Sequence, residues 1–391
     1  MHDERVLRFL DPAALVELTE EMVRFPTVNP PGDEGPLADF LAEELRALGL
    51  PAEVQPLAEG RANVIARLPG SGERPGLILS GHLDVVSPGE QPWRTPPFTP
   101  TLVGDRLYGR GTADMKGGCA ALIWAAVAIQ RCEQPLKGDL ILALTAGEEV
   151  DSIGARRLVE SGRLQGAGGV LIAEPTGLEV YVAEKGVVWL EIITHGRTAH
   201  GSMPELGVNA ISQMAEVIRR LETLALPARP HPVLSPPSLN IGLIQGGVKI
   251  NVVPDRCRLE VDIRTLPGTT SQDVLRLVQG LLDDLARQRP GFAAEVRLLQ
   301  ERPPVETSPA APLVQTTLRI VQQRLGRTLT PGGVPYGTDG SVYAPLLGIP
   351  MVICGPGRAE LAHQPDEYVE VPALLAAAEI YTLVIRDLLV A

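Results

Sequence analysis

Cysteine, long apolar runs and excess positive charge are all scarce in this chain of 391 residues. Cys119, Cys132, Cys257 and Cys354 stand far apart without a C-x-x-C spacing, which argues against a disulfide framework and a thiolate zinc site. No apolar stretch reaches the roughly 18 residues that a membrane span requires. The net charge of −12 argues against nucleic acid or an anionic membrane as the main partner. The N-terminal segment lacks the basic start and apolar centre of a signal peptide, so we expect a cytoplasmic protein.

The first 178 residues alternate short apolar runs with helical patterns. Four runs rich in leucine and β-branched residues are typical of strands covered on both faces: 62–68, 76–86, 139–147 and 168–174. Four segments with helical periodicity lie before or between them: 12–25, 34–48, 117–131 and 153–162. This alternation predicts a mixed, largely parallel sheet with helices on both faces.

From about residue 180 the pattern changes to strands and amphipathic helices in the order β-α-β-β-α-β. This order is that of a small ferredoxin-like α+β domain, and a proline-rich segment, "ERPPVETSPAAP", follows it. After Pro312 the first pattern resumes with a helix, a glycine-rich loop, a strand and a last helix. We therefore predict one α/β domain in two segments, 1–179 and 303–391, with the α+β domain 180–302 inserted between them.

Several histidines and acids occupy the places where an open α/β sheet binds its ligands, beyond the carboxyl ends of the strands and at a glycine-rich turn. They are His82, Asp84, Asp114, Glu148, Glu149, Glu174 and His363. One such residue alone is usually a capping or solvated side chain. Together, carboxylates at one sheet edge would repel one another unless cations neutralise them. The group therefore predicts a metal site.

The kinds of donor in this group predict a pair of divalent cations. Carboxylate and imidazole without thiolate suit Zn²⁺, with Co²⁺ or Mn²⁺ as alternatives. Asp114, on a tight glycine turn, is placed to bridge two metals about 3.5–4 Å apart. Asp84 lies two residues from His82 on the same strand face, so we expect it to orient the imidazole through its other ring nitrogen.

Glu148 and Glu149 are neighbours, and on a strand they would point to opposite faces. We expect the loop that begins at Gly147 to end the strict alternation, so that both carboxylates face one cleft. Asp151 is expected to cap the helix that starts near Ile153.

The chain carries, in order, motifs that resemble the signature series of the M20 family of dinuclear metallopeptidases and amidohydrolases: "SGHLDVVSPG", "YGRGTADMKGG", "TAGEE", "AEPT", "GRTAHGSMPELGVNA" and "AHQPDEYV". The resemblance implies a zinc-exopeptidase-like fold and the following site. Asp114 bridges two metals, His82 and Glu174 complete one metal site, and Glu149 and His363 complete the other. Glu148 is the general base.

The resemblance also implies roles for the inserted domain, which in the family is a lid that dimerises. It implies that His200 reaches the active site of the other subunit and stabilises the oxyanion. Asn251 would line the pocket, and Arg264 would bind the carboxylate of the substrate. A homodimer follows from these roles.

The implied reaction is hydrolysis of the amide bond of N-acyl amino acids or short peptides. Glu148 would take a proton from the attacking water and pass it to the leaving amine. The stretch 334–371 most resembles acetylornithine deacetylases. A succinyl-diaminopimelate desuccinylase, a broader N-acyl-amino-acid hydrolase and a dipeptidase are alternatives within the same family.

Two other classes of protein fit the sequence less well. A dinucleotide-binding oxidoreductase is disfavoured because Asp114 replaces the third glycine of G-x-G-x-x-G in "GRGTAD", and no strand immediately precedes it. A non-catalytic metal-binding relative stays an alternative. The presence of Glu148 beside all five implied ligands argues against it, because a binding protein has no use for a base there.

Overall fold

The computed structural model describes residues 2–227 and 229–390, which form two compact units. The first unit comprises Met1–Val182, Glu306–Gly333 and Thr338–Ala391, and the second comprises Ala183–Val305 and Val334–Gly337. The second unit thus begins at residue 183 and its long segment ends at 305, whereas the sequence predicts 180 and 302. Nothing in the sequence predicts that residues 334–337 belong to the second unit.

The elements are numbered here in chain order. The strands are β1 (Ala52–Ala58), β2 (Arg61–Leu68), β3 (Gly76–His82), β4 (Thr101–Val103), β5 (Arg106–Tyr108), β6 (Leu140–Thr145), β7 (Ala167–Ile172), β8 (Tyr181–Glu184), β9 (Gly186–His195), β10 (Ser238–Gly246), β11 (Arg256–Thr265), β12 (Ala293–Arg302), β13 (Val305–Glu306), β14 (Gly332–Val334), β15 (Met351–Ile353) and β16 (Tyr368–Glu370). The α-helices are α1 (His2–Leu7), α2 (Pro12–Arg24), α3 (Gly35–Ala47), α4 (Lys116–Arg131), α5 (Ile153–Glu160), α6 (Ala210–Leu221), α7 (Ser271–Gln288), α8 (Pro312–Leu325), α9 (Gly340–Leu347) and α10 (Val371–Ile385). Short 3₁₀ segments span Pro204–Leu206 and Ala359–Leu361, and a π-helical turn spans Arg386–Val390.

The first unit is built on a mixed sheet in which the strand order includes β1-β2-β6-β3-β7-β15. β6, β3, β7 and β15 run parallel, while β1 and β2 are added antiparallel at one side. β3 and β6 are buried over their full length, as their continuous apolar sequences predict. The predicted α/β class with a largely parallel sheet is confirmed.

Helix α4 lies in the core of the first unit. Its sequence is apolar on all sides, and every residue from Lys116 to Ile129 is buried. Gly118 allows this close packing, because a Cβ atom there would lie 2.4 Å from the carbonyl oxygen of Ala173, just after β7. The start of α4 is thereby held against the carboxyl end of the sheet.

No helix among the described residues is long and apolar enough to cross a membrane.

The second unit has the predicted order β9-α6-β10-β11-α7-β12, and its antiparallel sheet has the strand order β10-β11-β9-β12. Alternate residues of β11 are buried, which is the pattern of a sheet with one covered face. On α7, buried Val274, Val278, Leu282 and Leu285 follow one helical stripe. They share a hydrophobic core with the buried face of β11.

Candidate metal centre and active site

The parallel strands of the first unit end at one edge, and the sequence-predicted acids and histidines of this unit lie there. His82 is the last residue of β3, and Glu174 follows β7 by two residues. Glu148 and Glu149 lie in the loop after β6, and Asp114 precedes α4 by two residues. His363 follows β15 and a short 3₁₀ segment.

Asp114 lies between the two histidines and presents one carboxylate oxygen to each. Its Oδ1 is 3.1 Å from His82 Nε2, and its Oδ2 is 3.4 Å from His363 Nε2. On the first side, Glu174 Oε1 is 3.7 Å from His82 Nε2. On the second side, Glu149 Oε2 is 3.1 Å from His363 Nε2. The structure thus brings together the five residues that the resemblance names, with Asp114 in contact with both histidines.

The spacing and chemistry of these donors fit two metal ions. Two ligand atoms, each about 2.1 Å from a tetrahedral ion, are about 3.4 Å apart, close to the 3.1–3.7 Å separations between His82, His363 and their partners. Among the described residues, no lysine or arginine pairs with Asp114, Glu149 or Glu174. Two histidines face these three carboxylates, so divalent cations would supply the remaining positive charge.

Glu148 faces the same cluster as Glu149, although the two residues are adjacent. Ligand atoms of Glu148, His82 and Glu174 all lie within 4.8 Å of one another. The chain turns at Gly147, whose φ of 86° lies in the left-handed region that glycine adopts without strain. The turn allows both carboxylates to face the cluster, as expected from the sequence.

Two predicted contacts near this loop differ in detail. The nearest partner of His82 Nδ1 is the backbone carbonyl oxygen of Asp84 at 2.9 Å, while the Asp84 carboxylate is 3.6 Å away. Asp84 therefore orients His82 through its main chain. The residue at the cap position of α5 is Ser152, and Asp151 instead accepts a hydrogen bond from the Ile153 amide at 3.1 Å.

The Asp84 carboxylate binds the loop that carries the two glutamates. Its Oδ1 accepts hydrogen bonds from the Gly147 and Glu148 amides, and its Oδ2 accepts one from the Glu149 amide, at 3.0–3.1 Å. The Asn29 side chain donates to Oδ2 at 2.8 Å. Asp84 thus positions Glu148 and Glu149 through their backbone, a role that the two-residue spacing to His82 does not reveal.

His200, in the second unit, is exposed and has a defined orientation. Its Nδ1 accepts a hydrogen bond from the Ser202 backbone amide at 3.2 Å and lies 2.7 Å from the Ser202 hydroxyl. Because an amide can only donate, Nδ1 is the acceptor nitrogen of the neutral ring. The proton is then on Nε2, which points a hydrogen-bond donor away from this turn.

The structure brings Asn251 next to His200 but places Arg264 at the other end of the same sheet. The Gly201 amide donates to the Asn251 carbonyl oxygen at 2.8 Å, which joins the two segments. Arg264 pairs with Val187, near the start of β9, and donates to Asp262 at 3.0 and 3.1 Å. The three predicted site residues of this unit therefore form two separate groups, with the predicted catalytic residue His200 beside Asn251 and Arg264 apart from them.

Comparison with known families matches residues 78–387 to peptidase family M20/M25/M40. The chain belongs to this family. It is 35% identical over 350 residues to an acetylornithine deacetylase of Myxococcus xanthus, covering 87% of this chain and 88% of the relative. A probable succinyl-diaminopimelate desuccinylase of Staphylococcus aureus (strain MRSA252) is 29% identical over 398 residues, covering 94% and 95%. The aminopeptidase PepT of Bacillus cereus ATCC 10987 has the same fold, with a TM-score of 0.79, 24% identity and coverage of 97% and 99%. The M20 chain is a hydrolase.

At the M20 centre, protons compete with metal ions for the same side-chain nitrogen and oxygen atoms. Hydrogen bonds with Asp114 and Glu149 raise the pKa of His363 to about 10. Burial and the charge of Asp114 raise the pKa of Glu149 to about 7, although a hydrogen bond with His363 opposes them. Burial acts to raise the pKa of Asp114, but hydrogen bonds from His363 and His82 outweigh it and hold this pKa below its usual range. In the metal-free protein, His363 and Glu149 therefore both carry protons at pH 6.

Zinc binding is expected to stabilise the protein more at pH 8 than at pH 6. The raised pKa of His363 contributes stability to the metal-free fold that is complete below pH 6.5 and is lost as pH rises through about 10. The raised pKa of Glu149 likewise contributes stability that is lost as pH rises through about 7. Zinc must displace these protons, so its apparent affinity should rise about tenfold per pH unit for each proton displaced.

The measurement is the difference in Tm between chelator-treated and zinc-loaded protein across this pH range. The variant His195→Ala is a control, because His195 is exposed in the second unit and should leave the trend unchanged. A Tm difference that is equal at pH 6 and pH 8 would contradict proton release from these ligands.

Two buried polar residues of this region were not predicted as functional. Asn29 is 3% exposed and contacts Asp84, and Glu367 is fully buried behind Asp114. Glu367 stands four residues after His363 in "HQPDE", and that proximity to a predicted ligand is its only sequence signal. Asn29 lies next to prolines in an ordinary turn sequence, and no sequence signal marks it as functional.

Proposed function

We propose that this M20 chain hydrolyses the amide bond of N-acyl amino acids and that N-acetylornithine is its first candidate substrate. The observation that supports hydrolysis most directly is Asp114, with one oxygen toward His82 and the other toward His363, while Glu174 lies beside His82 and Glu149 beside His363. The 35% identity to an acetylornithine deacetylase supports the acetyl group and the ornithine side chain. Desuccinylation is the second candidate, supported by the relative at 29% identity.

The metal ligands and the base are proposed as follows. Two divalent cations, Zn²⁺ in the first place and Co²⁺ or Mn²⁺ as alternatives, would be held by His82, Asp114, Glu149, Glu174 and His363. When bound, they supply a water of lowered pKa and polarise the carbonyl group of the substrate. Glu148 accepts the proton of the attacking water and delivers it to the nitrogen of the leaving amine.

His200 is proposed as the donor that stabilises the oxyanion. The hydrogen bond from the Ser202 amide to its Nδ1 supports this role, because it leaves the proton on Nε2. A neutral donor of this kind stabilises a developing negative charge without itself losing a proton. Arg264 is proposed to bind the carboxylate of the substrate through its guanidinium, and Asn251 to line the pocket beside His200.

The separation of these residues supports a homodimer in which each active site uses two copies of the second unit. Arg264 pairs with Val187, and Arg256 pairs with His195, eight residues further along β9. At about 3.3 Å per residue, this distance is about 26 Å, and His200 lies beyond His195. One small substrate cannot contact both ends of this sheet. Arg264 of one copy and His200 of the other can share a substrate.

Strand β10 is the proposed contact between the two copies. It is an edge strand, and Leu243 and Ile244 on it are 61% and 54% exposed. Val248 and Ile250 in the following turn are 88% and 102% exposed. Exposed apolar side chains on an unpaired edge favour pairing with another chain.

A cytoplasmic location is also part of the proposal, and the absence of a disulfide among the four cysteines suits a reducing compartment.

A substrate panel tests the proposed function. N-acetylornithine, other N-acetyl amino acids, N-succinyl-diaminopimelate and dipeptides would be assayed with Zn²⁺, Co²⁺ or Mn²⁺. We expect kcat/KM to be highest for N-acetylornithine. A higher value for the succinyl substrate would select the second candidate, and no cleavage of any member would contradict amide hydrolysis.

In the same panel, Arg264→Ala should raise KM about tenfold or more for substrates with a free carboxylate, through loss of a charged bidentate contact. The matched control is Arg197→Ala, since Arg197 is an exposed arginine of the second unit whose side chain donates to the Leu206 carbonyl oxygen. Unchanged KM in Arg264→Ala would contradict the assignment of Arg264.

A further inference from the structure

Glu367 is a fully buried carboxylate that has no place among the metal ligands, the base or the substrate-binding residues. We propose that Glu367 is a positioning residue, which holds Asp114 and His363 in the arrangement that the metal pair requires. This inference rests on the proposed dinuclear function and adds a residue to it.

Both oxygens of Glu367 bind the loop that leads to Asp114. Oε1 accepts hydrogen bonds from the backbone amides of Gly111, Ala113 and Asp114, at 3.0, 2.8 and 3.0 Å. Oε2 accepts a hydrogen bond from Arg110 Nη1 at 2.6 Å. The loop is therefore closed around one carboxylate, and the last amide that this carboxylate binds belongs to Asp114 itself.

Arg110 makes this buried charge tolerable. Its side chain is 1% exposed, and its guanidinium also lies 5.0 Å from the ring centre of Trp93. Charge-assisted hydrogen bonds to a buried carboxylate are among the stronger contacts in proteins and have strict geometry. They limit the movement of the Asp114 backbone, so that its side chain stays between His82 and His363.

The same residue is tied to His363 through the chain. The Gly109 amide donates to the Glu367 carbonyl oxygen at 2.9 Å, and the next residue, Tyr368, begins β16, which pairs with β5. Residue 367 is therefore anchored on both sides. His363, four residues earlier, has a φ of 63°, a conformation that a residue with a side chain keeps only where its surroundings hold it. Glu367 thus joins the segment of one ligand to the loop of the other.

A parallel arrangement exists on the other side of the centre. The Asp84 carboxylate accepts the three consecutive amides of Gly147, Glu148 and Glu149. The loop that carries Asp114 and the loop that carries Glu148 and Glu149 are thus each bound from behind by a buried carboxylate, although the site itself gathers negative charge. Backbone amides supply the donors in both cases. The repetition supports a positioning role beyond general stability.

The test is Co²⁺ binding to the full-length, metal-free variant Glu367→Gln, followed by visible absorption without substrate. Glutamine has the same shape but loses the charge that pairs with Arg110. We expect one of the two Co²⁺ equivalents to bind 10- to 100-fold more weakly, with a changed spectrum, as for other residues that orient metal ligands. The second variant, Glu367→Asp, keeps the charge but is too short to reach Arg110 and the amides together. It should show an intermediate loss of affinity.

The matched control is Asp139→Asn in the same unit. Asp139 also pairs with an arginine, Arg67, and accepts a hydrogen bond from the backbone amide of Gly70 at 2.8 Å. It precedes β6, however, and so lies at the end of the strands opposite to the metal centre. This variant should lose thermal stability while binding Co²⁺ as the wild type does.

Wild-type Co²⁺ affinity and spectrum in Glu367→Gln would overturn the proposal, whatever the change in Tm. If Glu367→Gln fails to fold, wild-type binding by Glu367→Asp would overturn it equally. A wild-type protein that binds fewer than two Co²⁺ ions would instead contradict the dinuclear function. The two failures are therefore distinguishable.

Discussion

Replacing Glu148 with glutamine is expected to lower kcat by about 10²- to 10⁴-fold, the range that general acid–base catalysis contributes. Glutamine keeps the size of the side chain but cannot accept a proton from water. Glu148 is 7% exposed, and Asp84 holds its amide in the loop after β6. The substitution should therefore remove the base without moving the loop. The measurements are kcat with the best substrate of the panel and the metal content of the purified variant.

The matched control for Glu148→Gln is Asp151→Asn. Asp151 is an exposed acid of the same loop, and its contact is with the Ile153 amide. It should retain wild-type kcat and both metals. Wild-type rates in Glu148→Gln would contradict its role as the base, whereas loss of a metal ion would show that Glu148 is a ligand.

Replacing His200 with alanine is expected to lower kcat by about 10²- to 10³-fold, the usual effect of removing one oxyanion donor. Metal content should be unchanged, because His200 belongs to the second unit and the five proposed ligands belong to the first. His195→Ala is the control, since His195 is an exposed histidine of the same unit that pairs with Glu295.

Mixing two inactive variants decides whether His200 acts on its own subunit or on the other. When Glu148→Gln and His200→Ala are unfolded and refolded together in equal amounts, about half of the proposed homodimers should be mixed. In each mixed dimer, one site combines an intact Glu148 with an intact His200 from the other subunit. Activity should then return to about a quarter of the wild-type value. No recovery in verified mixed dimers would show that His200 serves its own site or none.

The sequence predicts the fold well where one physical pattern has one structural meaning. The buried runs that became β3 and β6 are too apolar for any position but the middle of a covered sheet. The alternating pattern of β11 indicates a sheet with one covered face, and the apolar stripe of α7 indicates a helix that packs on a core with one face. Because parallel strands end at one edge, the same patterns also place His82, Glu149 and Glu174 together.

The metal ligands could be predicted for a second reason, which is their chemistry. A group of carboxylates and imidazoles gathered at one sheet edge is stabilised by cations, which neutralise the repulsion between the acids. Their division into two sets around Asp114 is implied by the family resemblance, and the separations in the structure agree with it. The motif around "TAGEE" likewise indicated that Glu148 and Glu149 have different roles.

Tertiary structure alone decided which atoms hold these residues in place. Asp84 was expected to orient His82 with its carboxylate, but the carboxylate binds the amides of the loop after β6, and the main-chain carbonyl contacts the histidine. Glu367 is 253 residues from the Asp114 amide that it binds. Residue types and periodicity determine which segments are strands and which residues are candidate metal ligands. Backbone amides have the same chemistry in every residue, so no sequence pattern marks which of them a distant carboxylate will bind.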